Sequence, residues 1–499
     1  MSSPTLKSGS SWFTPNNDKV KRATIQTIDF VDSYLYAGEL IDSWDASINQ
    51  DGSIICYVDE ENKLTISGNG SGAIIANEDC SYAFSGMTNL TSIRCGVLNT
   101  TNTINMEYMF GDDSPMKITS ILFGYQFRTD KVQNMHGMFT SCSSLFSLNL
   151  SNFNTSSCVT MECMFDGCSR LRSLHCLDFN TCNVINMCNM FRGCNNLITI
   201  KDIANWDVSR VTNMQGMFHK CQKLLSLDVS KWNTSSCTNM AFMLCETSSL
   251  TSIDFENWNV SKVKSFDHFL AHSANMVKFD ISKWNVTSAC KNLYAAFHST
   301  NVASIDVTNW NVSNVIAFGK CFKAMPQLTE IKGLNTWNTS SGIDFAQMFN
   351  NCSNLKILDL SSFDMMKAKV DNTIVSLDNS TAFCTMGMFD GLSKLEKIVL
   401  SDKFTLSGDG TASAEAIGSF PSSKAKDGYW KTTKYTIYTP TEIPSLTSEI
   451  YYATLEDVEN VQVMISNKIL KDIANAIRLK TGYTGQLYPK DFALLIEKL

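Results

Sequence analysis

A chain that repeats one sentence at a fixed interval has to solve the same folding problem many times, and that repetition limits this sequence more than any other property. The sentence is clearest from Trp206 to Val229, WDVSRVTNMQGMFHKCQKLLSLDV. Marking the aromatic of each Met-Phe-like pair gives Phe84, Phe110, Phe139, Phe165, Phe191 and Phe218, with Leu244 and Leu270 as substitutes, and then Phe297, Phe322, Phe349 and Phe389. The period is about 26 residues, and only the last interval is clearly longer. A second ladder keeps the same register: Phe153, Phe179, Trp206, Trp232, Trp258, Trp284, Trp310, Trp337 and Phe363.

Inside a unit the apolar spacing changes. Val211, Met214, Met217, Phe218, Cys221 and Leu224 recur as one helical face does, which predicts a short helix. Leu225, Leu227 and Val229 then alternate as a half-buried strand requires. Neither element can bury its apolar side alone, so neighbouring units must stack and share one core. The pattern predicts an α/β solenoid of about 12 coils with a parallel sheet. Trp206, Met214, Met217, Phe218, Cys221, Leu224 and Leu227 form its repeating core. A stack grows in one dimension, so 499 residues need not divide into several globular domains.

The segments flanking the array read differently. Residues 1–78 are expected to form a β-rich cap, with a hairpin from Ser53 to Gly70 and with Trp12 and Trp44 packed against it. Residues 79–402 are the array, 403–455 a closing cap and linker, and 456–499 a helical hairpin with an isoleucine stripe at Ile465, Ile469, Ile473 and Ile477. The N-terminus carries no recognisable export signal, and no apolar run is long enough to cross a membrane, so membrane insertion is not expected. A net charge of −7, with no basic run or face, argues against a nucleic-acid partner.

The 18 cysteines have a repeat explanation. Cys142, Cys168, Cys194, Cys221 and Cys352 share one slot after the Met-Phe pair and are expected as a ladder of free buried thiols. The absence of any CxxC pair argues against structural zinc. His268 and His272 lie four apart but Phe269 stands where a metalloprotease motif has glutamate, so neither a catalytic metal nor any other cofactor is expected. Asp228, Asp254, Asp280, Asp306 and Asp359 form a row after the strand core; they either cap adjoining turns or hold calcium between coils. The Asn-x-Ser/Thr triplets at Asn154, Asn233, Asn259, Asn285, Asn311 and Asn338 sit at one repeat position, so turn formation and helix capping explain them better than glycosylation.

The unit NMxxMFxxCxxLxxLDxSxWNxS, complete from Asn213 to Ser235 and varied at Met161–Leu171 and Ala346–Leu355, resembles the BspA-like leucine-rich repeats of bacterial surface proteins. That resemblance implies strands lining one parallel sheet. The closing segment Lys471–Leu499 is similar to short modules at the ends of phage and prophage tail-associated proteins. The opening SGSSWFTP followed by IxxIDFVDSY also resembles phage-encoded proteins with these repeats. Together these imply a non-enzymatic phage virion protein assembled in the host bacterial cytoplasm, a tail fibre or receptor-binding component. Its implied partners are other virion proteins and a host cell-surface carbohydrate or protein, with homo-oligomer formation open. Head fibre or decoration protein and bacterial cell-surface adhesin are the alternatives. The expected binding face consists of outward strand positions: Ser173, Thr199, Ser226, Ser252, Lys278, Ser304 and Glu330, extended by Ser147 and Ile357.

Overall fold

In the computed structural model, which describes residues 3–33, 39–175, 179–370, 385–404 and five short strands at 374–375, 381–382, 430–432, 437–438 and 450–452, successive units stack in parallel. Two ladders join them. One is made of short strands, the other of turns.

The turn ladder occupies the place where the apolar spacing predicts a helix. No described repeat unit holds an α-helix, although two carry a single 3-10 turn, at Ile203–Asn205 and Leu334–Thr336, outside the turn ladder; the α-helix among the described residues, Met366–Val370, lies in the insertion before the last unit. In the unit from Asn213, the N–H groups of Met214, Gly216, Phe218 and Lys220 donate to the carbonyls of Asn239, Ala241, Met243 and Cys245 in the next coil, at 3.0, 2.8, 2.9 and 2.9 Å. The intervening Met217, His219 and Cys221 close local turns onto the carbonyls three residues back. An α-helix would direct all of these donors within the coil. Here alternate donors cross to the neighbour, and the backbone turns left-handed at every fourth residue to aim them: φ is +59° at Gly216 and +64° at Lys220. Asn189, Phe242, His268, Glu246 and His272 take the same conformation at matching places. For a residue with a Cβ this costs about 1–2 kcal/mol, which the crossing hydrogen bonds offset. At Gly216 the glycine is also required for space, since an added Cβ would lie 2.2 Å from Asn189 Oδ1.

The first Asn of the repeated NMxxMF motif opens this ladder. Asn134, Asn186, Asn213, Asn239 and Asn292 occupy corresponding places in a run of single-residue parallel bridges, with Thr160 and Ser265 as substitutes. Asn213 Oδ1 accepts the N–H of Gln215 at 3.1 Å, and Asn239 Oδ1 that of Ala241 at 3.1 Å. The side chain thereby occupies a donor that would otherwise be unpaired at the start of the turn. The Asn-x-Ser/Thr triplet works similarly: Asn233 Oδ1 accepts from Ser235, while the buried Thr234 hydroxyl donates to Asn259 of the next coil. No helix follows for it to cap.

The core fills the space between the two ladders. Trp206 and Leu227 are 4% and 7% exposed, and Met214, Met217, Phe218, Cys221 and Leu224 are fully buried. Aromatic rings stack from coil to coil: Phe110, Phe139, Phe165, Phe191 and Phe218 at centroid separations of 5.6, 5.5, 5.5 and 5.7 Å. Trp232, Trp258, Trp284, Trp310 and Trp337 form a second stack with separations of 6.1–6.3 Å. Every described cysteine is free. The thiols of Cys142, Cys168, Cys194 and Cys221 each donate to the carbonyl of the Met-Phe-pair aromatic one coil back, at 3.2–3.4 Å. A small side chain with a weak donor fits a slot beside a carbonyl whose second lone pair is left over: those of Phe139, Phe165 and Phe191 already accept a backbone N–H in their own coil.

Both open ends are covered. At the start, β1 (Thr27–Val31), β2 (Leu40–Asp45), β3 (Ile55–Asp59) and β4 (Lys63–Ser67) form a sheet ordered β2-β3-β4-β1, in which β3 and β4 are the antiparallel hairpin. β1 pairs in parallel with both β4 and the first repeat strand, Ser92–Arg94. Trp44 donates its indole N–H to the carbonyl of Trp12 at 2.8 Å, and both rings are buried. At the other end, Ile450–Tyr452 runs antiparallel along Lys397–Leu400 and occupies the last strand edge. The expected helical hairpin at 456–499, and most of the expected linker, lie outside the described residues.

Candidate functional site

The strand ladder is discontinuous, and the discontinuity makes the site. Ser147–Leu148, Ser173–His175 and Thr199–Lys201 pair in parallel, as do Ser304–Asp306 and Glu330–Lys332. Between these groups lie the coils carrying Ser226, Ser252 and Lys278. There Leu225 still donates to Ile198 at 3.0 Å, and Ser252 and Lys278 bridge. The backbone N–H groups of Ser226, Leu227 and Asp228, however, make no backbone hydrogen bond to another described residue. The turn ladder is intact across the same coils, through Asn213, Asn239, Ser265 and Asn292. The stack thus opens along the strand edge while remaining joined along the turns.

The opening is a groove of about 590 Å³ lined by Thr199, Ile200, Leu225–Asp228, Ser252–Asp254 and Lys278–Asp280. The strand expected from the alternation of Leu225, Leu227 and Val229 is not formed, because its backbone lacks a paired neighbour, and Leu225 faces out; from Ser226 on, the in-and-out alternation still holds and sets the groove's chemistry. Leu227 and Ile253 point inward and are buried, forming the floor, while Ser226, Ser252 and Lys278 are exposed beside it. Asp228, Asp254 and Asp280 are exposed along the next outward row. Each uses Oδ1 to accept the N–H two residues on, from Ser230, Glu256 and Ser282 at 3.2, 2.8 and 2.8 Å. These bonds, with the Ser230 and Ser282 hydroxyls, hold the Asp228 and Asp280 carboxyls below the usual carboxylate value. The turn-capping reading of the aspartate row is what the geometry displays. Leu225, 61% exposed, adds an apolar rim, and half-buried Phe279 adds an aromatic surface.

Four of the seven outward positions read from the sequence, Thr199, Ser226, Ser252 and Lys278, are brought together here. Ser173, Ser304 and Glu330 lie on paired strands to either side. Sequence periodicity marks Ser226 as outward but does not separate it from Ser173 or Ser304, which have the same residue type and intact pairing. The aspartates, Leu225 and Phe279 complete the lining. His268 and His272, four apart, both lie at left-handed positions of the turn ladder, away from the groove lining. His268 Nδ1 is 2.7 Å from Asp267, and the His272 ring packs on that of His298.

A parallel stack of 26-residue coils, with a groove of mixed polar and apolar lining where its strand ladder parts, defines a parallel repeat protein. Residues 78–199, 185–304 and 291–390 match the family model described as "Mycoplasma protein of unknown function, DUF285", and the chain belongs to that family. No curated protein matches it. Among solved structures it is similar to a leucine-rich repeat protein from Eubacterium ventriosum, at 13% identity and a TM-score of 0.28, over 71% of this chain and 96% of that one. A leucine-rich cell surface protein from Faecalibacterium prausnitzii matches at 13% identity and a TM-score of 0.21, over 74% and 96%. The functional domain of InlJ from Listeria monocytogenes, whose description includes a cysteine ladder, matches at 12% identity and a TM-score of 0.14, over 88% and 97%.

Proposed function

We propose that this protein is a non-catalytic, surface-displayed binding protein that holds an extended carbohydrate chain in the strand-face groove. The observation that carries the reading is the row of backbone donors at Ser226, Leu227 and Asp228, left without backbone partners among the described residues and set between hydroxyl side chains and carboxylates. Unpaired strand edges are ready hydrogen-bonding templates. Serine and threonine hydroxyls donate and accept, aspartates accept from sugar hydroxyls, and a half-buried aromatic such as Phe279 offers a face to the apolar side of a sugar ring. The test is binding of the purified full chain to immobilised bacterial envelope polysaccharide, compared with Ser226→Arg and Ser252→Arg. Both substitutions fill the groove from exposed positions, so they are expected to abolish binding while leaving the melting temperature unchanged. Binding equal to wild type in both variants would remove the groove from the function. Release of reducing sugar during the assay would replace binding by depolymerisation.

Display on a phage particle, as a tail fibre or receptor-binding component, is the finer reading, supported by the similarity of Lys471–Leu499 to tail-associated modules. The BspA-like character of the repeats supports a bacterial adhesin as the second. Immunogold electron microscopy with antibodies to the repeats separates them: label on the distal tail favours the first, and label on bacterial envelopes beside bare particles favours the second.

A further inference from the structure

A different cluster of side chains lies on the turn ladder rather than in the strand groove. The residue after each Met-Phe-like pair forms a column along the stack: Thr140, Asp166, Arg192, His219, Cys245 and Ala271. Adjacent members of the column can reach one another across a coil junction, as Arg192 and Asp166 do through two charge-assisted bonds, one of 2.9 Å from Nε to Oδ1. Where the column passes from His219 to Cys245, the following left-handed position contributes Glu246.

We propose that His219, Cys245 and Glu246 form a binding site for a zinc-type divalent cation across this coil junction. Their donor atoms, an imidazole nitrogen, a thiol sulfur and a carboxylate oxygen, all lie within 4.8 Å of one another. His219 Nε2 is 3.3 Å from Glu246 Oε1. Tetrahedral zinc, with nitrogen and oxygen ligands near 2.0–2.1 Å, sets such a pair about 3.4 Å apart, so that edge of the coordination polyhedron is already in place. The sulfur has only to close inward.

Three further features fit a metal site. Cys245 is not one of the core-ladder cysteines: Cys142, Cys168, Cys194 and Cys221 give their thiols to carbonyls, whereas Cys245 occupies the column of charged and polar side chains. It is 2% exposed, while His219 and Glu246 are half-buried, so three protein ligands are held with a solvent-accessible approach for a fourth, a water. The His219 ring is packed against Phe242 of the next coil at a centroid separation of 5.7 Å, which restrains the imidazole. The donor set selects the metal. Calcium and magnesium take all-oxygen shells, while a thiolate with an imidazole and a carboxylate suits zinc. Binding forms a metal–sulfur bond and releases the thiol proton to solvent, while His219 binds through the lone pair of its neutral ring. Lys220 Nζ, 3.9 Å from Glu246 Oε1, is an exposed partner that yields to the cation, because surface ion pairs are weak.

The experiment is a cobalt(II) titration of the full chain, stripped of metal and held in a non-chelating reductant, with cobalt as the spectroscopic stand-in for zinc. The wild type is expected to bind one equivalent and to show thiolate-to-cobalt charge-transfer absorption that added zinc abolishes. Cys245→Ser is expected to lose that absorption although all the other cysteines remain. His219→Ala and Glu246→Gln, at half-buried positions, are expected to weaken binding by at least about tenfold. Circular dichroism of the metal-free variants checks that each is folded. A wild type without the absorption, a Cys245→Ser variant that keeps it, or His219 and Glu246 variants that bind as tightly as wild type would each overturn the site.

Discussion

His298 shows how a single residue can place the stack's stability on a pH scale. Its ring packs on His272 at 4.5 Å, and burial, helped by His272, Lys323, His268 and Lys320, pushes its imidazole down to about 3 from an ordinary 6.5. The folded state therefore keeps this histidine neutral over a range where the unfolded chain protonates it. The resulting contribution is fully present above about pH 6.5 and is lost as the pH falls from there through about 3. Between pH 7 and pH 5, the wild type is expected to lose more melting temperature than His298→Gln, measured by thermal denaturation in matched buffers. Equal losses in the two proteins would mean that the burial of this ring is not coupled to folding. Lys320 and Lys323, nearby on the same seam, reinforce the effect by repelling an imidazolium.

At the scale of the element, the aromatic column makes the strongest quantitative statement. Phe218 is fully buried and stacked on Phe191 at 5.7 Å, so it belongs to two coils at once. Phe218→Ala is expected to cost about 3–5 kcal/mol in chemical denaturation, the range for emptying a core aromatic site. A loss below about 1 kcal/mol, the scale of an ordinary surface change, would place the side chain outside the shared core. Burial was legible in the sequence because it depends on which residues face inward, and the spacing of Met214, Met217, Phe218, Cys221 and Leu224 states that directly. Helicity was not legible. The same spacing serves a run of turns that swings left-handed at every fourth residue, and the choice between the two depends on where the N–H groups find acceptors. Those acceptors belong to the next coil, 25 residues further along the chain, as with Gly216 and Ala241. The groove divides similarly. The alternation of Ser226, Leu227 and Asp228 marks the outward row, but the parting of that strand from its neighbours has no counterpart in the residues, since Ser304 keeps its pairing with Glu330. Nothing in the side chains of the open strand explains the difference. The His219–Cys245–Glu246 cluster escapes a motif search for the same reason that the turn ladder does: its ligands are adjacent only across a coil junction.

For the whole molecule, two ladders of near-identical junctions imply that a coil can be removed. Residues 213–238 run from one ladder asparagine to the position before the next, Asn239, which pairs with Asn213 in parallel register. Excising them joins Thr212 to Asn239 and restores the same sequence relation, because Thr238 holds the place of Thr212: each donates its N–H and hydroxyl to the preceding coil. The shortened protein is expected to remain soluble, to keep the circular dichroism spectrum of the parent and to unfold in one transition at a somewhat lower temperature. Aggregation or loss of the spectrum would show that the coils are not interchangeable. The covered ends set the limit of this freedom, since β1 and Ile450–Tyr452 each fit one particular neighbour.

The junction at Ser226 has a mechanical meaning. Where the strands pair, two coils are fastened along two seams, but here, as at the other breaks in the strand ladder, they hold chiefly by one, as pages hold at a spine. A load that splays the strand edges meets less resistance at such a junction than where the strands are paired. A surface protein loaded through a ligand seated in the groove would therefore deliver the pull directly to a singly fastened joint, which gives before the doubly fastened junctions beside it.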